Sequence, residues 1–257
     1  MRNGRSDGLN RVGRRSAATA AVTAGAAARY KQPGTPPART AGTPLRSKRV
    51  DICRTAAEIF RERGFAATSV SDVARALGMT KAGLYHYFES KEALLLEIMT
   101  YGLERVRDEV VLPARTILDP EERLREIAMR HARIATDGKG AVAHLGDEVR
   151  ALPPAARRQI EERSRLYFDL VRDTLRELKT AGRLRPVDPT VAAFSVLGMI
   201  LWLPRWFRQN GRLSQERVAV EIANLAVGGL VLPRRSGGKA RGSKAAKPVR
   251  FRRDRDT

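Results

Sequence analysis

The chain has 257 residues, a formal net charge of +21 and a single cysteine, Cys53. One cysteine excludes an internal disulfide and leaves no thiol pair for a cysteine-rich metal site, so a reducing cytoplasm is the simplest location. Because aromatic residues make up only 5% of the chain, the core should be aliphatic, and the composition favours an all-α protein of one or two domains.

The positive charge is concentrated at the two ends of the chain. Met1–Lys48 carries about +9 and Pro233–Thr257 about +8, whereas the part between them carries about +4. Both ends are rich in Arg, Lys, Ala, Gly and Pro, so we predict disordered basic tails at residues 1–45 and 233–257. The tails are either solubilising ends, or the result of a start codon placed too early, or a means of attracting DNA through phosphate neutralisation.

Three helices are predicted between residues 46 and 88. Apolar residues at three- and four-residue spacing predict helices at Arg46–Arg63 and Val70–Leu77. Gly64 and Gly78 stand where these two helices would end. A third helix, Lys81–Phe88, follows the second after a three-residue turn.

Polar residues at the expected N-caps support this division. Ser69 is followed three residues later by Asp72, which is a capping-box pattern. Thr80 and Ser90 stand directly before the next two helices. Ser90 opens a long connecting helix, which Pro113 should end.

The second half of the chain predicts further helices. Asp-Pro and Pro-Pro pairs place a cap and a proline at the helix starts. The predicted helices are Lys91–Leu112, Pro120–Thr136, Pro154–Thr180, Pro189–Gln209 and Ser214–Leu230, with a short one around Ala141–Ala151. No alternating pattern indicates a sheet.

The second and third helices have the spacing of a helix-turn-helix. A turn of three residues crosses two short helices steeply and exposes the second, which fits the major groove of DNA. The residues at the start of that helix suit base edges: a hydroxyl, a cation, a methyl group and a position without a side chain. They are Thr80, Lys81, Ala82 and Gly83.

Three polar-tipped rings follow in the same helix. Tyr85, His86 and Tyr87 would need burial in an ordinary core segment, and they are better explained as phosphate and groove contacts. Lys91 can add a charge-assisted phosphate contact. The alternative is that the tyrosines pack and the lysines are solvated surface.

Gly64-Phe65, the run Thr68–Phe88 and Ser90–Leu94 together resemble the N-terminal domain of the TetR family. The resemblance implies a three-helix DNA-binding head, a long linking helix, a variable helical domain for ligand binding and dimerisation, and action usually as a repressor. Ten residues fall on the DNA-contacting positions of that family. They are Ser69, Ser71, Thr80, Lys81, Ala82, Gly83, Tyr85, His86, Tyr87 and Lys91.

The segment Leu197–Arg208 resembles one branch of that family, whose members regulate fatty-acid and steroid degradation and respond to acyl-CoA thioesters. Trp202, Arg205 and Trp206 are candidate ligand residues, since large rings beside cations can surround an apolar ligand and hold an anionic end. Alternatively, they belong to a packed helix whose arginines favour its C-terminal dipole. An acyl-CoA, another hydrophobic molecule and no effector all remain open.

Residues 189–209 and 214–230 are the most apolar helices and the best candidates for a homodimer surface. In the TetR family the corresponding helices form a four-helix interface. We therefore predict a DNA-binding domain at residues 46–92 and a ligand-binding and dimerisation domain at residues 93–232. The expected partners are double-stranded operator DNA, a second copy and a small hydrophobic or acyl-CoA-like effector.

Other classes of function have weaker support. His131 and His144 have no nearby Cys or His, and no phosphate loop or nucleophile elbow is present, so we predict no enzyme, no cofactor and no metal site. Val191–Pro204 is too short for a membrane span and predicts a buried helix. The main alternative is a basic scaffold or non-specific nucleic-acid-binding protein driven by its tails.

Overall fold

The structure is a computed structural model that describes residues 44–137 and 147–234. Within these ranges the chain is almost entirely helical, which confirms the all-α prediction, and the extended pairing there is a single bridge between Leu184 and Val231. The α-helices are α1 (Pro44–Arg63), α2 (Val70–Ala76), α3 (Lys81–Tyr85), α4 (Lys91–Val106), α5 (Leu112–Arg115), α6 (Pro120–Thr136), α7 (Pro154–Thr180), α8 (Pro189–Trp206) and α9 (Gln215–Leu230). The predicted tails lie almost wholly outside the described residues, as does His144.

The helix starts follow the predicted caps. Ser69 and Asp72 form a complete capping box, in which each side chain accepts a hydrogen bond from the other residue's backbone N–H. Single caps begin α3, α4, α6, α8 and α9, where the side chain accepts from the first turn of the helix. These capping residues are Thr80, Ser90, Asp119, Asp188 and Ser214.

The connecting helix does not end at Pro113, contrary to the prediction. A π-helical turn, Arg107–Val111, joins α4 to α5, and Pro113 is the second residue of α5. In this turn the N–H of Leu112 donates to the carbonyl of Arg107, five residues back. Because the wider turn lies directly before the proline, the chain accommodates the ring and its missing N–H and stays helical to Arg115.

The buried apolar residues form two clusters. The first contains residues of α1, α2, α3 and the start of α4, around Phe60, Leu84 and Leu95. The second contains residues of the π turn and of every later α-helix from α5 to α9. Along the connecting helix, Leu103 packs against the first cluster and Val106 against the second. The apolar contacts therefore change over near the end of α4, about ten residues beyond the predicted boundary at residue 92.

Helix α8 is shorter and less buried than predicted. It ends at Trp206 instead of Gln209, and Phe207 is extended, although the N–H of Phe207 still donates to the carbonyl of Leu203 at 2.8 Å. One face is buried, but Val191 and Phe194 on the opposite face are 57% and 64% exposed. The prediction that Val191–Pro204 is a buried helix is therefore wrong for half of its surface.

Two further helix predictions are corrected in part. The short helix expected at Ala141–Ala151 is a 3-10 helix, Asp147–Ala151, and its earlier residues lie outside the described chain. The third helix ends at Tyr85, although the N–H of Phe88 still donates to the carbonyl of Leu84. Among the helices of the described ranges, none has both the length and the apolar character of a bilayer span.

A buried polar pair lies in the second cluster. The Oη of Tyr167 on α7 and the Nδ1 of His131 on α6 are 2.9 Å apart in a hydrogen bond. Burial lowers the pKa of His131 to about 4 and raises the pKa of Tyr167 well above its ordinary value. Both side chains are therefore neutral at physiological pH, and they join α6 to α7.

This pair predicts a pH-dependent loss of stability. Between pH 6.5 and about 4 the unfolded chain binds a proton at His131 that the folded chain does not bind. The free energy of unfolding should therefore fall as the pH decreases, by about 1.4 kcal/mol per pH unit from this group. Urea denaturation at pH 7, 6 and 5 should show a shallower pH dependence for His131→Gln, and equal dependence in the two proteins would contradict this assignment.

Candidate nucleic-acid interface

The turn between α2 and α3 has the geometry of a helix-turn-helix. Gly78 adopts a left-handed φ of +63°, a conformation that glycine takes without a Cβ clash. The N–H of Met79 donates to the carbonyl of Ala74 at 2.9 Å, which closes the C-terminus of α2. The chain is then extended at Thr80, whose side chain caps α3 by accepting from the N–H of Gly83 at 3.0 Å.

Helix α3 has one buried and one exposed side. Leu84 and Phe88 point into the first apolar cluster, and their burial holds the helix against the head. The predicted base-contacting residues point the other way: Thr80, Lys81 and Ala82 are exposed. The helix can therefore enter a groove without any rearrangement of the core.

Gly83 is half-buried on α3. The local structure gives a reason why this position carries glycine. A Cβ at this position would lie 3.2 Å from Oγ1 of Thr80 and 3.7 Å from the end of Met79. The missing side chain therefore leaves room for the Thr80 cap. Close approach of DNA to Gly83, which the sequence suggests, is a second reason that is compatible with the first.

The three rings after α3 occupy different environments. Tyr85 is 43% exposed, and the Nζ of Lys81 lies 5.9 Å above its ring. His86 is also exposed and meets Tyr87 edge to face, with ring centroids 5.6 Å apart. Tyr87 is half-buried against the first cluster. Tyr85 and His86 are thus free to reach DNA, whereas Tyr87 also has a packing role.

The serines of α2 have local roles. The Oγ of Ser69 donates to a carboxylate oxygen of Asp72 at 2.5 Å and accepts from its N–H at 3.1 Å. Hydrogen bonds from the hydroxyl and from the backbone N–H of Ser69 to this carboxylate hold the pKa of Asp72 below its ordinary value. Ser71 is half-buried on the first turn of the same helix. Ser69 therefore fixes the start of α2. Its hydroxyl already bonds to Asp72, so a contact with a DNA phosphate would compete with this cap.

Lys91 is held by the protein itself. Its Nζ donates to the carbonyls of Phe65 and Thr68, at 2.9 and 3.0 Å, and lies 4.2 Å from the centroid of the Phe65 ring. An ammonium group has three donors, so one is left for a phosphate. The structure therefore supports a positioning role for Lys91, and the predicted phosphate contact stays a prediction.

Arg49 is a residue that the sequence analysis missed. From α1, its Nη1 donates to the carbonyl of Tyr87 at 2.9 Å, and its Nε and Nη2 donate to the two carboxylate oxygens of Glu97 on α4. The guanidinium also lies 4.6 Å from the centroid of the Phe88 ring. Arg49 thus ties the segment directly after the recognition helix to α1 and α4, and no local sequence pattern shows this.

We expect Arg49→Ala to weaken DNA binding indirectly. The substitution frees the Tyr87 carbonyl and leaves Glu97 without this partner, at a cost of about 1 kcal/mol to head stability, since both side chains of the ion pair are partly exposed. Arg49→Lys is the matched control, since it keeps the charge but not the two-pronged geometry. Thermal unfolding should rank wild type above Arg49→Lys and Arg49→Ala lowest, and equal stability of the three proteins would contradict the role.

The candidate ligand residues lie on the outside of α8. Trp202 and Trp206 are 58% and 46% exposed, Arg205 is exposed, and its guanidinium lies 4.8 Å from the Trp202 ring. The structure thus does not place them around an internal ligand, because the inner face of α8 carries Val196, Ile200 and other core residues instead.

These residues belong to a larger exposed surface, here called the apolar stripe. Its members are large apolar side chains that are exposed on two helices: Val191, Phe194, Leu201, Trp202 and Trp206 on α8 and Val220 and Leu225 on α9. Exposure of so many large apolar side chains is typical of a protein interface.

Two family models match this chain. Residues 52–98 match the model described as bacterial regulatory proteins of the tetR family, and residues 118–230 match the tetracyclin repressor-like C-terminal domain. The first range contains the helix-turn-helix and the second contains α6 to α9.

Similar proteins of known structure include AibR, solved in complex with isovaleryl coenzyme A and operator DNA. It is 37% identical, with a TM-score of 0.62, and the match covers 69% of this chain and 97% of that chain. KstR2 of Mycobacterium tuberculosis, a ketosteroid transcriptional regulator, is 26% identical with a TM-score of 0.66, covering 76% of this chain and 100% of that chain.

The curated relatives include the HTH-type transcriptional repressor KstR2 of Mycobacterium tuberculosis strain H37Rv. It is 29% identical over 198 residues, which cover 75% of this chain and 96% of that protein. The similarity therefore extends through both clusters and is not confined to the helix-turn-helix.

Proposed function

Since this chain belongs to the TetR family of helix-turn-helix transcriptional regulators, we propose that it represses its target genes by binding operator DNA as a homodimer. A small hydrophobic or acyl-CoA-like effector releases it from the operator. The observation that carries the DNA-binding part is that Leu84 of α3 is buried, as is Phe88 just after it, while the opposite side of α3 is exposed from Lys81 onward.

The proposed DNA contacts fall into two groups. Thr80, Lys81, Ala82 and Gly83 stand at the start of α3, where a recognition helix meets base edges. Contacts with the phosphate backbone of the DNA are assigned to residues whose polar groups are exposed or also bond within the protein. Such contacts hold the head in register on the duplex. These residues are Ser69, Ser71, Tyr85, His86, Tyr87 and Lys91.

The proposed dimer buries the apolar stripe of α8 and α9. Two copies of this surface, related by a two-fold axis, would remove the exposed Phe194, Trp202 and Leu225 from water. A two-fold dimer also presents two recognition helices to two half-sites. We therefore assign Trp202, Arg205 and Trp206 to the dimer interface in preference to the predicted ligand site.

The effector assignment rests on relatives. AibR was solved with isovaleryl coenzyme A, and KstR2 is a ketosteroid transcriptional regulator. We propose that an effector binds in residues 93–232 and acts by a population shift, in which movement of the connecting helix changes the separation of the two recognition helices. We also propose that the protein acts in the cytoplasm, as a regulator and not as an enzyme.

A titration with acyl-CoA thioesters tests the effector assignment. Operator binding is followed by fluorescence anisotropy while isovaleryl-CoA and its shorter and longer homologues are added, with free coenzyme A and isovalerate as controls. A thioester of the right length should weaken binding by about 5–150-fold, the usual range of an allosteric coupling. Unchanged binding with every thioester would reject the acyl-CoA class and leave the DNA-binding assignment intact.

A further inference from the structure

The start of α7 and the segment before it contact the DNA-binding head. Leu152 and Ile160, 2% and 6% exposed, belong to the apolar cluster of the head, and Val149 and Ala156 pack against it. Val149 lies in the 3-10 helix Asp147–Ala151, Leu152 follows it directly, and Ala156 and Ile160 lie at the start of α7. The head is therefore packed against this segment in addition to being continuous with the connecting helix.

One polar bond lies within this apolar contact. The backbone N–H of Phe65 donates to a carboxylate oxygen of Glu148 at 3.2 Å, across 83 positions of sequence. Helix α1 ends just before Phe65, with the N–H of Gly64 donating to the carbonyl of Phe60. Because the chain turns away at Gly64, where φ is +80°, the next N–H points out of the helix and needs a partner from elsewhere.

The loop that Glu148 holds leads directly into the helix-turn-helix. The carbonyls of Phe65 and Thr68 accept from Lys91 on α4, and the Thr68 hydroxyl donates to the carbonyl of Gly64 at 2.8 Å. Ser69, the N-cap of α2, is the next residue. The position of α2 is therefore fixed by α4 on one side and by Glu148 on the other.

The segment that carries Glu148 is tied to α7. The Nη2 of Arg157, in the first turn of α7, donates to the carbonyls of Arg150 and Leu152, at 2.6 and 3.2 Å. Helix α7 then continues through the second cluster, where Val171 and Leu175 are fully buried. A displacement of α7 of about 1 Å would take the Glu148 bond beyond hydrogen-bonding distance.

We propose that Glu148 is a positioning residue that transmits the state of the effector domain to the helix-turn-helix through the Phe65 N–H. The bond holds the loop Gly64–Thr68, and with it α2 and α3, in the arrangement that binds DNA. Movement of α7 breaks the bond and releases the loop. This inference rests on the proposed function, and it adds a second route of communication beside the connecting helix.

The test compares two substitutions at Glu148 in the full-length protein. Glu148→Ala removes the acceptor, and Glu148→Gln keeps a neutral one. Glu161→Ala, on the exposed side of α7, removes the same charge without touching the head. Hydrogen exchange at the Phe65 amide, operator binding and the sedimentation coefficient are measured for each protein, without any effector.

We expect Glu148→Ala to speed exchange of the Phe65 amide at least about 10-fold and to weaken operator binding about 3–10-fold, with the dimer intact. Glu148→Gln and Glu161→Ala should stay within about 2-fold of wild type. Unchanged exchange in Glu148→Ala would overturn the contact, and faster exchange with unchanged operator affinity would overturn the coupling. Failure of the wild type to bind operator would instead reject the proposed function.

Discussion

Replacing Lys81 with alanine is expected to weaken operator binding at least about 30-fold, because the change removes one base contact from each half-site of the dimer at about 1–3 kcal/mol each. Lys81 is exposed on the first turn of α3, and its ammonium group rests over the Tyr85 ring. Alanine is a good helix former at such a position. The substitution should therefore leave the fold unchanged while it removes the contact, and a filter-binding or anisotropy titration measures its effect.

Arg165→Ala is the matched control for this experiment. Arg165 is exposed on α7, far along the chain from the helix-turn-helix, so its removal lowers the net charge by the same amount. General electrostatic attraction to DNA should fall equally in both variants. An equal loss of affinity in Lys81→Ala and Arg165→Ala would show that the lysine makes no specific contact.

Placing a glutamate at Trp202 or at Leu225 is expected to dissociate the dimer and, through this, to abolish tight operator binding. Both residues lie on the apolar stripe, 58% and 63% exposed in the single chain. A carboxylate buried in the interface would lose its hydration without gaining a partner, and each dimer would contain two of them. The dissociation constant of the dimer should rise at least about 100-fold, since a central aromatic anchor contributes about 2 kcal/mol or more per copy.

Sedimentation velocity measures the dimer, and anisotropy with a two-half-site operator measures the consequence. Loss of the second head should cost about 100-fold or more in operator affinity, because binding of one half-site no longer raises the local concentration at the other. Leu118→Glu is the control, since Leu118 is 84% exposed but lies outside α8 and α9. A dimer that survives both Trp202→Glu and Leu225→Glu would place the interface elsewhere.

The sequence predicts those parts of the fold that depend on neighbouring residues. Ser69, Thr80 and Ser90 cap helices because each side chain reaches an N–H two or three residues ahead, and such local bonds are visible as spacing. Gly64 and Gly78 end helices for an equally local reason, their left-handed φ. The helix-turn-helix is made almost entirely of such signals, and its bounds are predicted within a few residues.

Other features depend on contacts between distant parts of the chain. Pro113 should end a helix on local grounds, yet packing of Val110 and Val111 in the second cluster keeps it within a helical segment after a π turn. Arg49 reaches Glu97 and the Tyr87 carbonyl, and Glu148 reaches Phe65. Nothing in the spacing of single residues indicates these partners.

The sequence does not show which face of α8 is buried, and this is why Trp202 and Trp206 are predicted as ligand residues but are assigned to the dimer interface once the structure is known. Trp202 and Trp206 are four residues apart and so share one side of the helix, as ligand-lining residues would, and the sequence does not tell which face of an almost wholly apolar helix points inward. Ala193, Val196 and Ile200 take the inner face because they pack against α6 and α7. The rings are left outside, where a second copy can cover them.

Recovery of DNA bound by the full-length protein from a randomised pool tests whether the protein is a sequence-specific DNA-binding dimer. We expect enrichment of an inverted repeat, with two half-sites one helical turn or more apart, and this enrichment should persist as the salt concentration is raised. Recovery of DNA without sequence preference at any salt concentration would contradict it, and would leave only general attraction between a basic chain and phosphate.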